Sequence, residues 1–507
     1  MSGVPDYADG RTTAETLFLG GEGSAEAYRT AMRIAEEAVV ETIVEGDAPY
    51  SGRSPERLRA RLADLECLPE EGVGFERAVR GVSDLVLADS VNVSHPACVA
   101  HLQCPPLVPS LAAEAMLTAT NQSLDSWDQS PAASVLEERF VGRLAELFGY
   151  GEDADGVFTG GGTASNFLGL LLARNRHLAE EHGRDARRDG LPPEAADLRI
   201  LCSTAAHFTA EQAAAHLGLG ERAVVEVETD DDYRLSPAAL DAALSRLDAD
   251  GREPFALVGT AGTTDFGSVD PLDALADRAE ERGLWFHVDA AYGGALALSD
   301  RHRDRLAGIE RADSVAVDFH KLFYQPISCG LFLLRDGDDY RHVARNAAYL
   351  NPEGDDAAGV PNLVSKSTQT TRRFDALKPL VAFRTLGRRR LAALVEYTLD
   401  LADEVAARIA ADPDLELATE PALNAVVFRY VPSSAAGDGG RADRINESIR
   451  DALLAEGDAV LARTEVGGRT HLKFTLLNPR TTVEDAEGIL RRVTALGRDL
   501  DAAEVGR

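Results

Sequence analysis

The chain has 507 residues but only four lysines: Lys321, Lys366, Lys378 and Lys473. Lys321 sits in the stretch VDFHKLFYQP, directly after a strand-like run, while arginine recurs throughout the sequence. A lysine in apolar surroundings offers an amine for imine chemistry, which arginine, charged to very high pH, does not. Two further stretches end strand-like runs. FHVDAAYGG puts Asp289 after an apolar strand and before small residues. A carboxylate in such a place is costly to bury unless a cation meets it. FTGGGTASN turns from strand to helix through three glycines, so that Gly162, Thr163, Ala164 and Ser165 lie where a helix start offers free N–H groups to a phosphate. The turn has neither the G-K-[ST] ending of a nucleotide-triphosphate loop nor the G-x-G-x-x-G spacing of a dinucleotide fold.

Together these features ask for one ligand with a phosphate, a basic ring nitrogen and an aldehyde. Pyridoxal phosphate carries all three, and its recurring partners are a lysine amine and an acid facing the ring nitrogen. A metal is not expected. The five cysteines, Cys67, Cys98, Cys104, Cys202 and Cys329, form no C-x-x-C pair and suit neither a zinc site nor a disulfide framework.

The elements that must position these residues follow from periodicity. From about residue 24 to 90, apolar residues recur at helical steps, as in RTAMRIAEEAVVETIVE. Between about 147 and 385, strand-like runs such as GVFTGGG, LRILCST, FALVGTAG, LWFHVDAA and SVAVDFH alternate with helical ones. This predicts an α/β fold: a mainly parallel sheet with helices on both faces and ligands at the carboxyl ends of its strands. After about 390, a helix, the run NAVVFRYVP, a second helix and the run THLKFTLLNP predict a small α/β lobe. The expected units are 1–90, helical; 91–388, the large ligand-binding domain; and 389–507, the small domain.

Composition narrows the partners. Acidic residues number 84 against 52 basic ones, a formal charge of −32. Such a surface repels nucleic-acid phosphates and anionic lipid, which leaves small molecules and proteins. No basic and apolar leader and no run of eighteen apolar residues is readable, so a cytoplasmic protein is expected.

The stretches GVFTGGGTASN, HVDAAYGG and DSVAVDFHK resemble the matching motifs of the group II pyridoxal-phosphate amino-acid decarboxylases. The likeness runs from about residue 85 to 480. Within that family, AHLQCPP, NQSLDSWDQS, FHKLFYQPISCG, YLNPEGDD and NLVSKSTQTTRRFDALK are most similar to the bacterial L-2,4-diaminobutyrate decarboxylases. The resemblance implies the aspartate aminotransferase-like fold (fold type I of the pyridoxal-phosphate enzymes) and a homodimer with sites at the interface. It implies that Lys321 binds the cofactor aldehyde, that Asp289 faces the ring nitrogen and that His207 stacks on the ring. It places Ala291 on the opposite ring face, Thr264 near the ring hydroxyl, and Asp318 and His320 near the phosphate.

By the same resemblance, Tyr349 belongs to a loop that reaches a neighbouring subunit's site and helps protonate the substrate carbon. Gln103 and Cys104 fall in a segment on the substrate side. Asp125 and Asp128 are candidates to meet a cationic amino-acid side chain. Arg372 and Arg373 match a segment near the dimer interface, where a structural role is expected. The implied reaction is loss of carbon dioxide from an amino acid, with diaminobutyrate as the expected substrate. Glutamate, aspartate or an aromatic amino acid, or an aminotransferase reaction, are the alternatives.

Acid excess with few lysines also fits a salt-adapted protein. Its self-repulsion grows as the screening length rises from about 8 Å at physiological salt to about 30 Å at 0.01 M. The melting temperature is therefore expected to rise with added salt, and a salt series that leaves it unchanged contradicts this reading.

Overall fold

The computed structural model describes residues 14–347, 350–352, 354, 358–432 and 439–505. Seven strands form the large sheet: β1 (Asp155–Thr159), β2 (Leu198–Ser203), β3 (Val224–Val227), β4 (Glu253–Thr260), β5 (Trp285–Asp289), β6 (Ser314–Asp318) and β7 (Gly330–Leu334). Their order is β1-β7-β6-β5-β4-β2-β3. Only β7 runs against its neighbours, β1 and β6. The expectation of a mainly parallel sheet is met. β3 and β7 had not been singled out from the sequence.

Side chains alternate across this sheet because successive residues of a strand point to opposite faces. Phe286 and Val288 of β5, with Leu331 and Leu333 of β7, join one core. Trp285, Phe332 and Leu334 join the other. Helices Pro131–Leu147, Pro237–Ala249 and Leu272–Arg282 cover the first face, and Gly162–His182 with Thr209–His216 cover the second. Strands buried on both faces read as apolar runs, which is why they were legible.

The pairing register sets the site. Thr260 of β4 lies opposite Asp289 of β5, and Asp289 opposite Ala316 of β6. Across β7, Gly330 pairs with both Thr159 and Asp318. The parallel strands β1, β4, β5 and β6 therefore end along one edge, with Thr159, Thr260, Asp289 and Asp318 at their carboxyl ends.

A second, antiparallel sheet comprises β8 (Leu415–Leu417), β9 (Ala425–Tyr430), β10 (Ala462–Val466) and β11 (Arg469–Thr475), in the order β10-β11-β9-β8. The helix Leu377–Ala411 breaks at Gly387, whose φ of 73° favours glycine, and links the two cores. Its residues up to Leu399 pack on the large core, and those from Leu401 onward on the small one. Val99 also belongs to the small core: its N–H donates to Val460 O at 3.0 Å, and its carbonyl accepts from Thr475 N at 2.7 Å. Among the described residues no helix is long and apolar enough to cross a membrane.

One buried ion pair ties the loop before the long helix to the large core. Arg372, 6% exposed, meets the fully buried Glu137 through Nη1–Oε2 at 2.9 Å and Nη2–Oε1 at 2.6 Å. Glu137 also accepts from Phe158 N in β1. Arg373, by contrast, is half-exposed and pairs with Glu114. Arg372→Ala strands a buried carboxylate and is expected to cost about 3–5 kcal/mol in urea unfolding. A loss below about 1 kcal/mol, the range of exposed pairs, contradicts this.

Candidate active site

At the carboxyl edge of the large sheet lies a cavity of about 550 Å³. Lys321 enters it from the turn after β6. Phe319, Leu322 and Phe323 on either side are buried, and the Phe319 and Phe323 rings stack 4.3 Å apart. These anchors fix the turn and leave the lysine side chain facing the cavity. Its Nζ lies 3.0 Å from Asp318 Oδ2. Asp318 Oδ1 is buried without a hydrogen-bond partner, an unmet need at the cavity wall.

Asp289 lines the same cavity, at the end of β5. Its Oδ1 accepts from Ala291 N at 3.0 Å, and its Oδ2 from Asn166 Nδ2 at 2.7 Å. Behind it runs a buried relay whose direction follows from donor chemistry. Trp285 Nε1, which only donates, gives its proton to Ser314 Oγ at 2.9 Å. Ser314 then donates to His287 Nδ1 at 2.8 Å, and His287 Nε2–H donates to Asn166 Oδ1 at 3.0 Å. Burial pushes the His287 pKa down to about 4, which keeps the ring neutral, and the acceptor Asn166 Oδ1 sets its proton on Nε2.

Asn166 is a branch point. Its amide nitrogen also donates to Thr209 Oγ1 at 3.0 Å, whose hydroxyl lies 3.2 Å from His207 Nδ1. Thr209 N donates to the same nitrogen. His207 Nδ1 is therefore an acceptor, and burial lowers the pKa of the ring, so a neutral imidazole borders the cavity.

The glycine turn supplies the opposite wall. Gly161 has φ 145°, and a Cβ there would lie 3.0 Å from His320 Cε1. A Cβ on Gly162 would lie 3.2 Å from Ala291 Cβ and from Asp318 Oδ2. Glycine is needed at 161 for conformation and close approach, and Ala291 must stay small. His320 Nδ1 lies 2.8 Å from Cys329 O and 3.2 Å from Cys329 N, which turns Nε2 toward Asp318 Oδ2 at 3.6 Å.

The helix start corrects part of the phosphate expectation. Ala164 N and Ser165 N already donate to Gly161 O, at 3.0 and 3.1 Å. The Ser165 side chain is buried against Thr159 Oγ1 at 2.8 Å and Leu331 O, and it does not line the cavity. At the helix start, the Gly162 and Thr163 N–H groups have no acceptor among the described residues. The inward-turned Ser165 side chain seals the turn against Thr159 and β7.

Ten residues expected from the sequence thus line one cavity: Lys321, Asp289, His207, Ala291, Gly162, Thr163, Ala164, Thr264, Asp318 and His320. Leu102, Asn166, Thr209, Thr260 and Tyr292 line it too and were not singled out. Their signal lies in contacts between residues far apart in sequence. Four expected substrate residues lie outside the lining. Gln103 is exposed beside Leu102, and Cys104 is buried behind the Lys321 turn, donating weakly to His320 O, its thiol pushed up to about 12 by burial. Asp125 packs near residues 350–351 and 360–363, and Asp128 accepts from Ser126 Oγ at 2.7 Å on the surface. Tyr349 lies outside the described residues.

The cavity volume falls in the range of about 300–1,000 Å³ usual for cofactor sites. Its chemistry fits pyridoxal phosphate: an amine for the aldehyde, a carboxylate lacking a cation for the ring nitrogen, and free N–H groups for phosphate oxygens. Thr260 Oγ1, buried and unpartnered, offers one more donor. Fold and site together define a pyridoxal-phosphate enzyme.

The sequence profile described as the pyridoxal-dependent decarboxylase conserved domain matches residues 60–431, and the chain belongs to that family. It is 46% identical to an L-2,4-diaminobutyrate decarboxylase of Rhizobium meliloti (strain 1021) over 94% of this chain and 93% of the relative. It is 40% identical to the enzyme of the same name from Acinetobacter baumannii, over 97% and 96% of the two chains. The crystal structure of the glutamate decarboxylase domain of a diaminobutyrate-pyruvate transaminase and L-2,4-diaminobutyrate decarboxylase from Vibrio parahaemolyticus superposes with a TM-score of 0.87. That pair shares 39% identity over 95% of this chain and 98% of the other. The protein is a pyridoxal-phosphate-dependent carboxy-lyase acting on an amino acid.

Asn166→Ala removes the donors to Asp289 and Thr209 at once. Loss of a hydrogen bond to a charged group costs about 1.5–3 kcal/mol, or roughly 10- to 100-fold in cofactor retention. Dialysis of the holoenzyme against cofactor-free buffer, followed by absorbance, measures it; parent-like retention contradicts the branch-point role.

Proposed function

We infer that the protein converts L-2,4-diaminobutyrate to 1,3-diaminopropane and carbon dioxide. The observation that carries the substrate is the 46% identity, over nearly the whole of both chains, to a relative bearing that name. When bound, pyridoxal phosphate supplies an electron sink for the pair left on the α-carbon as carbon dioxide departs. Lys321 would provide the amine that holds the cofactor aldehyde. Asp318, 3.0 Å away, positions that amine.

Asp289, held as a pure acceptor by Asn166 and Ala291, would meet the cofactor's ring nitrogen and favour its charged form. His207, as a neutral imidazole, and the small Ala291 would hold the ring. Gly162 and Thr163 would hold the phosphate through their N–H groups, aided by the helix dipole. Thr264 is held in the wall through its carbonyl, which accepts from Lys473 Nζ at 3.2 Å.

The reading includes a homodimer in which Tyr349 of one chain reaches its neighbour's site and donates the proton to the α-carbon. Support comes from the N-terminal segment, where Phe18, Val44 and Leu68 are 70%, 72% and 93% exposed and suit a second copy. Asp125, which packs beside Leu350 and Asn351, then faces the substrate's side-chain ammonium from the second chain, with Asp128 and Gln103 nearby; Cys104, buried behind the Lys321 turn, does not take part. The units 1–90, 91–388 and 389–507, a cytoplasmic location and salt adaptation belong to the same reading.

Carbon dioxide release is measured in high salt with added cofactor, from diaminobutyrate, glutamate, aspartate and aromatic amino acids side by side. Diaminobutyrate is expected to be preferred, and a faster rate with another substrate overturns the assignment. Tyr349→Phe is expected to lower turnover by about 10²–10⁴ with cofactor still bound; unchanged turnover removes its role.

A further inference from the structure

We propose that His177, His182 and Glu253 form a binding site for a divalent transition metal, best suited to Zn²⁺, that pins the end of helix Gly162–His182 to the start of β4. His177 Nε2 lies 2.7 Å from Glu253 Oε1, and His182 Nε2 lies 3.0 and 3.1 Å from its two oxygens. The three ligand atoms fall within 4.8 Å of one another, the one such group of histidine, cysteine or acidic side chains among the described residues. A tetrahedral zinc ion with bonds of about 2.0–2.1 Å sets its donors about 3.3 Å apart. Small side-chain rotations reach that spacing.

The donor set has the right chemistry. Two imidazole nitrogens and one carboxylate oxygen suit zinc, and neither magnesium nor calcium favours imidazole. Both rings present the nitrogen far from the backbone to one carboxylate. The histidine side chains are 14% and 21% exposed and the glutamate 33%, so the cluster is partly withdrawn from water without being sealed. Phe255 packs on His177 at 5.9 Å between ring centres.

Beside His177 opens a cavity of about 180 Å³. Three arginines line it, but each is paired with acids: Arg176 with Glu180 and Asp339, Arg311 with Asp273, Asp277 and Glu280, and Arg335 with Asp313. Their field at the cluster is largely offset.

The site is structural. Glu253 begins β4 and Thr260, at its other end, borders the catalytic cavity, so the two places lie roughly 23 Å apart along the strand. The histidines are five residues apart, off the spacing that puts ligands on one helix face. They converge because the helix ends at His182.

The test uses tag-free holoenzyme, stripped with chelator and titrated with Co²⁺. Visible d–d bands of tetrahedral intensity, saturating at one ion per chain and displaced by Zn²⁺, are expected. His182→Ala is expected to lose them, and Glu253→Gln, which keeps hydrogen bonding to the rings, to bind at least tenfold more weakly. Both variants are expected to retain cofactor absorbance and carbon dioxide release, which shows they are folded. Absence of the bands in the parent, or equal bands in both variants, overturns the proposal and leaves a hydrogen-bonded triad.

Discussion

The site depends on a carboxylate with no cation of its own. Asp289 ends β5 with two neutral donors, and no lysine, arginine or histidine nitrogen among the described residues pairs with it. Such a group is stable in a partly buried cavity only if a positive charge arrives with the ligand. The protein prepares for that charge by committing the donors around Asp289 in advance. The relay from Trp285 through Ser314 and His287 to Asn166 has one proton arrangement, and it delivers an N–H to Asp289. Preorganisation of this kind costs no rearrangement when the cofactor binds.

The scarcity of lysine has a structural counterpart. Lys378 is fully buried, donates to Ser328 O at 2.7 Å and forms an ion pair with Asp375, Nζ–Oδ1 2.8 Å, beneath the Lys321 turn. Lys473 joins β11 of the small sheet to Asp265 at 2.7 Å. Lys366 meets Asp155 at the start of β1, at 2.6 Å. All three are engaged in ion pairs, with side chains 0–13% exposed. Lys321 is the one whose amine borders the cavity. Lysine survives in this acidic chain where its shape or its chemistry is required.

Much of the site was legible because its parts fall at strand ends, where periodicity stops and chemistry begins. The glycine turn, Asp289 and Lys321 each follow an apolar run, and both sheets could be placed from such runs. What stayed hidden depends on pairing. Asn166 sits inside the quoted FTGGGTASN motif, yet its role arises from contacts with residues 43 and 123 positions away. Ser165 looked like a phosphate ligand because a helix start gives it that position, but its side chain turns inward to Thr159. The antiparallel β7, and Val99 packing with the small core, likewise follow from long-range register that local pattern does not carry.

The central claim, that one lysine of four holds the cofactor, has a direct test. The holoenzyme is reduced with borohydride and digested, and the pyridoxyl group is located by mass spectrometry. The structure predicts modification at Lys321 alone. A label on Lys366, Lys378 or Lys473, or a protein that binds cofactor yet carries no label, contradicts it.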